Sequence, residues 1–271
     1  MAATIDFIEV KGVKVPLIYE EEKRLPIVSM QLVFRNSGSI TDEKHAGLAK
    51  LSAKMMNEGT LSQGSIGFAK ALDAKAIHLS ANTGTETFVM EMSSLKEEFA
   101  SGNELLSSLL KEPNLTEESL RKVKAVTIGS ITRKENDYDY VANHALKALL
   151  FKNTPLANPS IGSKESVETI ALKDTKLFLK EHLVLSRAIA VIGGDISLDE
   201  AKKELIELLE VLEVGQSAEL PHYDVVKKAE EKTLLRTTEQ AYLYFGSPYA
   251  MRVGDEDYYK ARVATFILGT G

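Results

Sequence analysis

The stretch GLAKLSAKMMNEGT, residues 47–60, decides how the chain is read. An apolar run, PIVSMQLVFRNSGS, and an acidic turn, TDEKHAG, lead into it. Leu48, Leu51 and Met55 recur at helical spacing, with Met56 beside them, which predicts an amphipathic helix. Asn57 and Gly59 suit its end. Lys50, Ala53 and Lys54 stand at i, i+3 and i+4, so they share one face.

Outward from that helix, strands alternate with long helical runs. Before it, residues 4–10 and 13–20 read as strands about a Lys11-Gly12 turn, and 27–34 as a longer strand. After it come a helix over 64–74 and strands over 76–81 and 87–92. A helix over 95–111 is stopped by Pro113. Thr116 caps the next helix, which runs to 136 and continues over 137–151. Pro155, Pro159 and Gly162 mark turns, and Ser163 to Ser166 cap a short helix. A helix over 173–182, a strand over 186–192 and a helix over 198–212 follow. Gly193-Gly194 lacks the G-x-G-x-x-G and Gly-Lys-Ser/Thr patterns of phosphate loops and reads as a tight strand-to-helix turn. Strands separated by helical runs without strict alternation give an α+β domain, an antiparallel-rich sheet with helices mainly on one face.

Composition excludes several classes. Hydrophobic content of 44% and charged content of 27% are ordinary for a globular chain of 271 residues. A net charge of −6 argues against nucleic acid as partner. Without cysteine there is neither disulfide nor thiolate metal site. No apolar run is long enough to span a membrane. The start, MAATIDFIEV, is not a signal peptide. A chain whose leader had been removed would look the same, so cytoplasm and periplasm both stay open. The five histidines, at 45, 78, 144, 182 and 222, include no pair four apart. His78 on a strand and His144 on a helix read as packing residues.

Residues 1–214 read as the first domain, 215–231 as a polar linker and 232–271 as the start of a second, homologous domain. Residues 234–244 read as a strand and 255–268 as a helix, so MQLVFRNSGSITDEKHAGLAKLSAKMMNEGT pairs with YLYFGSPYAMRVGDEDYYKARVATFILGTG: strand, acidic turn, helix and Gly-Thr end. Phe34 to Gly59 is 25 residues and Phe245 to Gly269 is 24, with an offset of 210 between the two glycines. Internal duplication is the simplest reading. A second unit of equal size needs roughly 200 residues, so the chain reads as a piece of a longer protein.

The strand, acidic turn and helix resemble the pitrilysin or insulinase-like zinc peptidase family, which includes the mitochondrial processing peptidases. In that family the helix carries H-x-x-E-H: two His bind zinc and the Glu is the general base. Aligned on Gly47, Leu48 and Gly59-Thr60, the two His fall on Lys50 and Lys54, and the Glu on Ala53. The family's third ligand, a Glu on a later helix, falls on Ser130, 76 residues past Lys54. The resemblance therefore implies a member that keeps the scaffold and has lost the metal: no catalytic residue, no cofactor, and zinc only in a catalytic partner. It implies an exposed strand edge that pairs with extended peptide, best matched by Ser80, Ala81, Asn82 and Thr83. It also implies association with an H-x-x-E-H subunit of the same family, or self-association. Two functions follow: a non-catalytic subunit of a processing-type zinc endopeptidase that helps enclose peptide, or an assembly protein of the same fold, like the respiratory cytochrome reductase core subunits.

Overall fold

The computed structural model describes residues 3–270 except Lys44, His222, Asp224, Val225, Lys227, Tyr249, Ala250 and Arg252. Six strands form one sheet: β1 (Thr4–Val10), β2 (Val13–Glu21), β3 (Ile27–Arg35), β4 (His78–Thr83), β5 (Thr87–Leu95) and β6 (Ala188–Gly194). Their order is β1-β2-β6-β3-β5-β4. Only β2 and β6 run parallel; the remaining neighbours are antiparallel. The period-2 pattern of β2, β3 and β5 sends most of their large apolar residues to one buried face. In register across the sheet, Leu17 meets Ala190, Leu32 meets Ala190 and Met90, and Met30 meets Ile192 and Met92. All of these are buried. The opposite face shows Ser29, Gln31 and Glu20 to solvent.

Nine α-helices form among the described residues: α1 (Leu48–Met56), α2 (Gly64–Asp73), α3 (Phe99–Lys111), α4 (Glu117–Glu135), α5 (Tyr138–Leu150), α6 (Lys164–Thr169), α7 (Leu172–His182), α8 (Leu198–Leu209) and α9 (Tyr258–Thr265). The main core joins the buried sheet face to α1, α2, α3, α7 and α8 through residues such as Ala53, Phe68, Leu106, Phe178 and Leu205. A second cluster holds Leu51 and Met55 of α1 against Leu120, Val123 and Ile131 of α4 and Val167 of α6. Helix α1 is thus wedged between two apolar clusters, which fixes its rotation and the direction of its polar face.

Two expectations change. The helical run 116–151 is broken, not continuous: Asn136 ends α4, and the Asp137 carboxylate accepts from the Tyr140 N–H at 3.2 Å to start α5. The strand expected over 234–244 is not formed; these residues pair with no strand, and Leu235 and Leu243 are each 86% exposed. A strand exists only where a neighbour completes its ladder, and none lies beside this segment. It rests instead near α5, where the Tyr244 hydroxyl donates to Asp139 at 2.7 Å. Among the histidines, His222 lies outside the described residues.

Candidate functional site

The site is built on α1. Asp42, only 3% exposed, caps its entry: Oδ2 accepts from the Gly47 N–H and Oδ1 from the Ala49 N–H, both at 2.9 Å. Gly47 has a φ of 91°, and the carbonyl oxygen of Ile161 stands 2.6 Å from where a Cβ would sit. Gly162 answers it with a φ of 83° and the Ala46 carbonyl 2.5 Å from its own Cβ position. The 159–163 turn therefore lies backbone to backbone on the helix entry. Ser166 of α6 secures it, donating to the Ala46 carbonyl at 2.8 Å.

With α1 so placed, Lys50 and Lys54 emerge half-buried on its polar face, and Ala53 is fully buried in the main core. The Lys50 ammonium donates to Asn82 Oδ1 on β4. The Lys54 ammonium donates to Thr127 Oγ1 on α4 at 2.8 Å. Burial lowers the pKa of both, and the Lys50 charge lowers that of Lys54 further. Ser130 shares the α4 face of Thr127, one turn on, but its hydroxyl donates to the Val126 carbonyl at 3.0 Å and accepts from Arg133 at 3.0 Å. The residue of α4 that bonds to α1 is Thr127.

Ser80, Ala81, Asn82 and Thr83 lie on β4, the edge strand beside β5. That edge is partly occupied. The Asn57 side-chain amide accepts from the Ala81 N–H at 2.7 Å and donates to the Ala81 carbonyl at 2.9 Å, copying the two bonds of a paired strand. The Thr83 N–H is taken by Asn82 Oδ1 at 2.8 Å. Asn57 was legible only as a helix stop, although it completes the i, i+4, i+7 stripe begun by Lys50 and Lys54. Asp42 and Thr127 carried no stronger signal than an acidic turn and a helix interior.

This constellation does not fit zinc. A zinc site needs at least three N, O or S ligands with free lone pairs. Ammonium groups have none, Ala53 has no donor atom, and the Ser130 hydroxyl is engaged along its own helix. Among the described residues no group of three His, Cys, Asp or Glu stands ready to hold a metal.

The insulinase (peptidase family M16) profile matches residues 17–164, and the peptidase M16 inactive-domain profile matches 169–271. A Helicobacter pylori protein described as non-peptidase homolog YmxG is 40% identical over 270 residues, covering 100% of this chain and 62% of its own length. A Caenorhabditis elegans mitochondrial-processing peptidase subunit beta is 24% identical over 187 residues, 69% of this chain and 41% of that one. Among solved structures, a peptidase M16 inactive domain from Pseudomonas fluorescens superposes with a TM-score of 0.75 at 19% identity, covering 80% of this chain and 53% of that one. The chain spans less than two thirds of each of these relatives.

Proposed function

The chain belongs to the insulinase (M16) peptidase family, and from that premise we propose that it is a non-catalytic subunit of a processing-type zinc endopeptidase, working beside an H-x-x-E-H subunit. The observation that carries the reading is a family scaffold whose helix α1 presents Lys50, Ala53 and Lys54, residues without a zinc ligand or base, where the reading places the metal and base positions. The similarity to a protein named as a non-peptidase homologue and to a processing-peptidase subunit supports it. In this reading residues 1–214 are the first family domain, 215–231 the linker and 232–271 the start of a second, homologous domain. The subunit encloses extended peptide with its partner, and Ser80, Ala81, Asn82 and Thr83 contribute by edge pairing. The Asn57 amide must then give way at Ala81 as the peptide docks.

The test is co-expression of the full-length protein with an H-x-x-E-H family member from the same genome. The expected result is a stable complex that cleaves peptide faster than the catalytic member alone. A catalytic member equally active by itself, with no complex formed, overturns the reading. A complex with no effect on cleavage favours the assembly role instead.

A further inference from the structure

We propose that Lys50 and Lys54 form a carboxylate-binding site that selects peptides carrying an acidic group. The inference rests on the peptide-binding reading above and adds the class of peptide. Each ammonium has three donors, and among the described residues each has one protein acceptor: Asn82 Oδ1 for Lys50, and Thr127 Oγ1 for Lys54. Both acceptors are neutral, so two donors on each lysine and both charges are left for a ligand. Among the described residues no carboxylate lies within ion-pairing distance of either, although Lys23, Lys75, Lys96 and Lys122 all have one. Acid is not scarce in the chain, which has 39 Asp and Glu against 33 Lys and Arg. Two like charges one turn apart on a half-buried helix face repel, and an anion between them offsets both the repulsion and the burial.

The surroundings select carboxylate on a peptide over other anions. The N–H groups at the start of α1, the usual seat for phosphate, are taken by Asp42. Among the described residues no Arg fork bonds at the lysines, and an ammonium acts as a point charge that suits a single carboxylate oxygen. Lys50 is tied to Asn82 on the edge strand, so a peptide lying along β4 brings its side chains to this pair. The Asn57 clamp weakens recognition through the main chain at Ala81 and leaves the charges as the stronger handle.

The test is fluorescence anisotropy of the purified protein with three short peptides. The first alternates Val and Glu with both ends blocked; the second replaces Glu by Gln; the third is the Gln peptide with a free C-terminal carboxylate. The Glu peptide is expected to bind about tenfold tighter than the blocked Gln peptide, the scale of a hydrogen bond to a charged group. Preference for the third peptide alone assigns the terminal carboxylate as the ligand. The double variant Lys50→Met/Lys54→Met should erase the preference, and Lys50→Glu/Lys54→Glu should reverse it toward a Val–Lys peptide, with unchanged melting curves showing that each variant is folded. Equal binding of all three peptides, or a preference that survives the Met variant, overturns the carboxylate site and leaves the peptide-binding subunit standing. No binding of any peptide overturns both.

Discussion

At the residue scale, two titratable groups, buried Asp42 and half-buried His182, carry opposite pH dependences. Burial lifts the Asp42 carboxyl to about 7, against the backbone N–H groups of Ala49, Gly47 and Leu48, which pull it down. Its folded pKa lies above the unfolded value, so its contribution to stability is full below 3.8 and is lost as pH rises through about 7. His182 is stacked on Phe178 at 4.2 Å, with Nδ1 3.0 Å from the Arg187 guanidinium. Burial, and then the Arg187 charge, hold it at about 4, so its contribution is full above 6.5 and is lost as pH falls through about 4. The two slopes oppose each other in one window. Relative to the parent protein, Asp42→Asn should gain stability as pH rises from about 4 to 7, and His182→Phe should lose it, in urea midpoints measured across that range. Slopes of the same sign in both variants would refute the assignment. The same scale governs the metal. Lys50→His/Ala53→Glu/Lys54→His should not restore peptide hydrolysis with zinc added, because Ala53 is fully buried and α4 offers Thr127 and Ser130 in place of a third ligand. Turnover by that triple variant would show that a third ligand comes from elsewhere.

At the element scale, α1 is held by its two ends. Its entry depends on the Gly47–Gly162 contact, where backbone atoms already stand closer than any Cβ allows. Gly162→Ala combines a left-handed φ with that clash and should cost about 2–4 kcal/mol in chemical denaturation. A loss under ~0.5 kcal/mol, within the usual range for surface substitutions, would mean the turn is free to move. Its exit is clamped to β4 by the Asn57 amide. Asn57→Ala should cost about 1–2 kcal/mol and speed hydrogen exchange at the Ala81 N–H, whereas unchanged exchange would show that the clamp does not protect the edge. These contacts also mark what the sequence could convey. The strands β2, β3 and β5 were legible because their large apolar residues alternate against one buried face. Helix α1 was legible because Leu48, Leu51 and Met55 recur at its period. That Lys50, Ala53 and Lys54 offer no zinc ligand or base follows from their residue types alone. The roles of Asn57, Thr127 and Asp42 were not legible, since each acts through a partner 5 to 73 positions away that local pattern does not name. The unformed strand over 234–244 was misread for the matching reason: alternation shows that a segment can pair, not that a neighbour is there.

At the scale of the whole molecule, the question is where the sheet domain ends. Around the proposed boundary at 214 the chain forms a strap. The Leu185 N–H donates to the Glu213 carbonyl at 2.9 Å and the Ser186 N–H to the Val214 carbonyl at 3.0 Å. Beyond 214, Arg187 Nε reaches the Gln216 carbonyl at 3.1 Å, and the Asn36 amide bonds the Ala218 carbonyl. Arg187 also donates to the Asn36 carbonyl at 2.6 Å, so one guanidinium joins the strap to the end of β3. Past Ala218 the ties to the sheet thin out. Residues 231–247 form no strand, and Leu235, Leu243 and Phe245 are mostly exposed. Stability is lowest where backbone bonds are few and apolar contacts sparse, and proteases cut such segments first. Limited trypsin digestion should therefore cleave at lysines and arginines between 228 and 236 before any site inside the sheet domain. The product ending in that interval should keep the parent's main melting transition, because both apolar clusters lie wholly before residue 213. Early cleavage within 1–218, or a fragment that unfolds on release, would mean that the segment after 218 holds the sheet domain together.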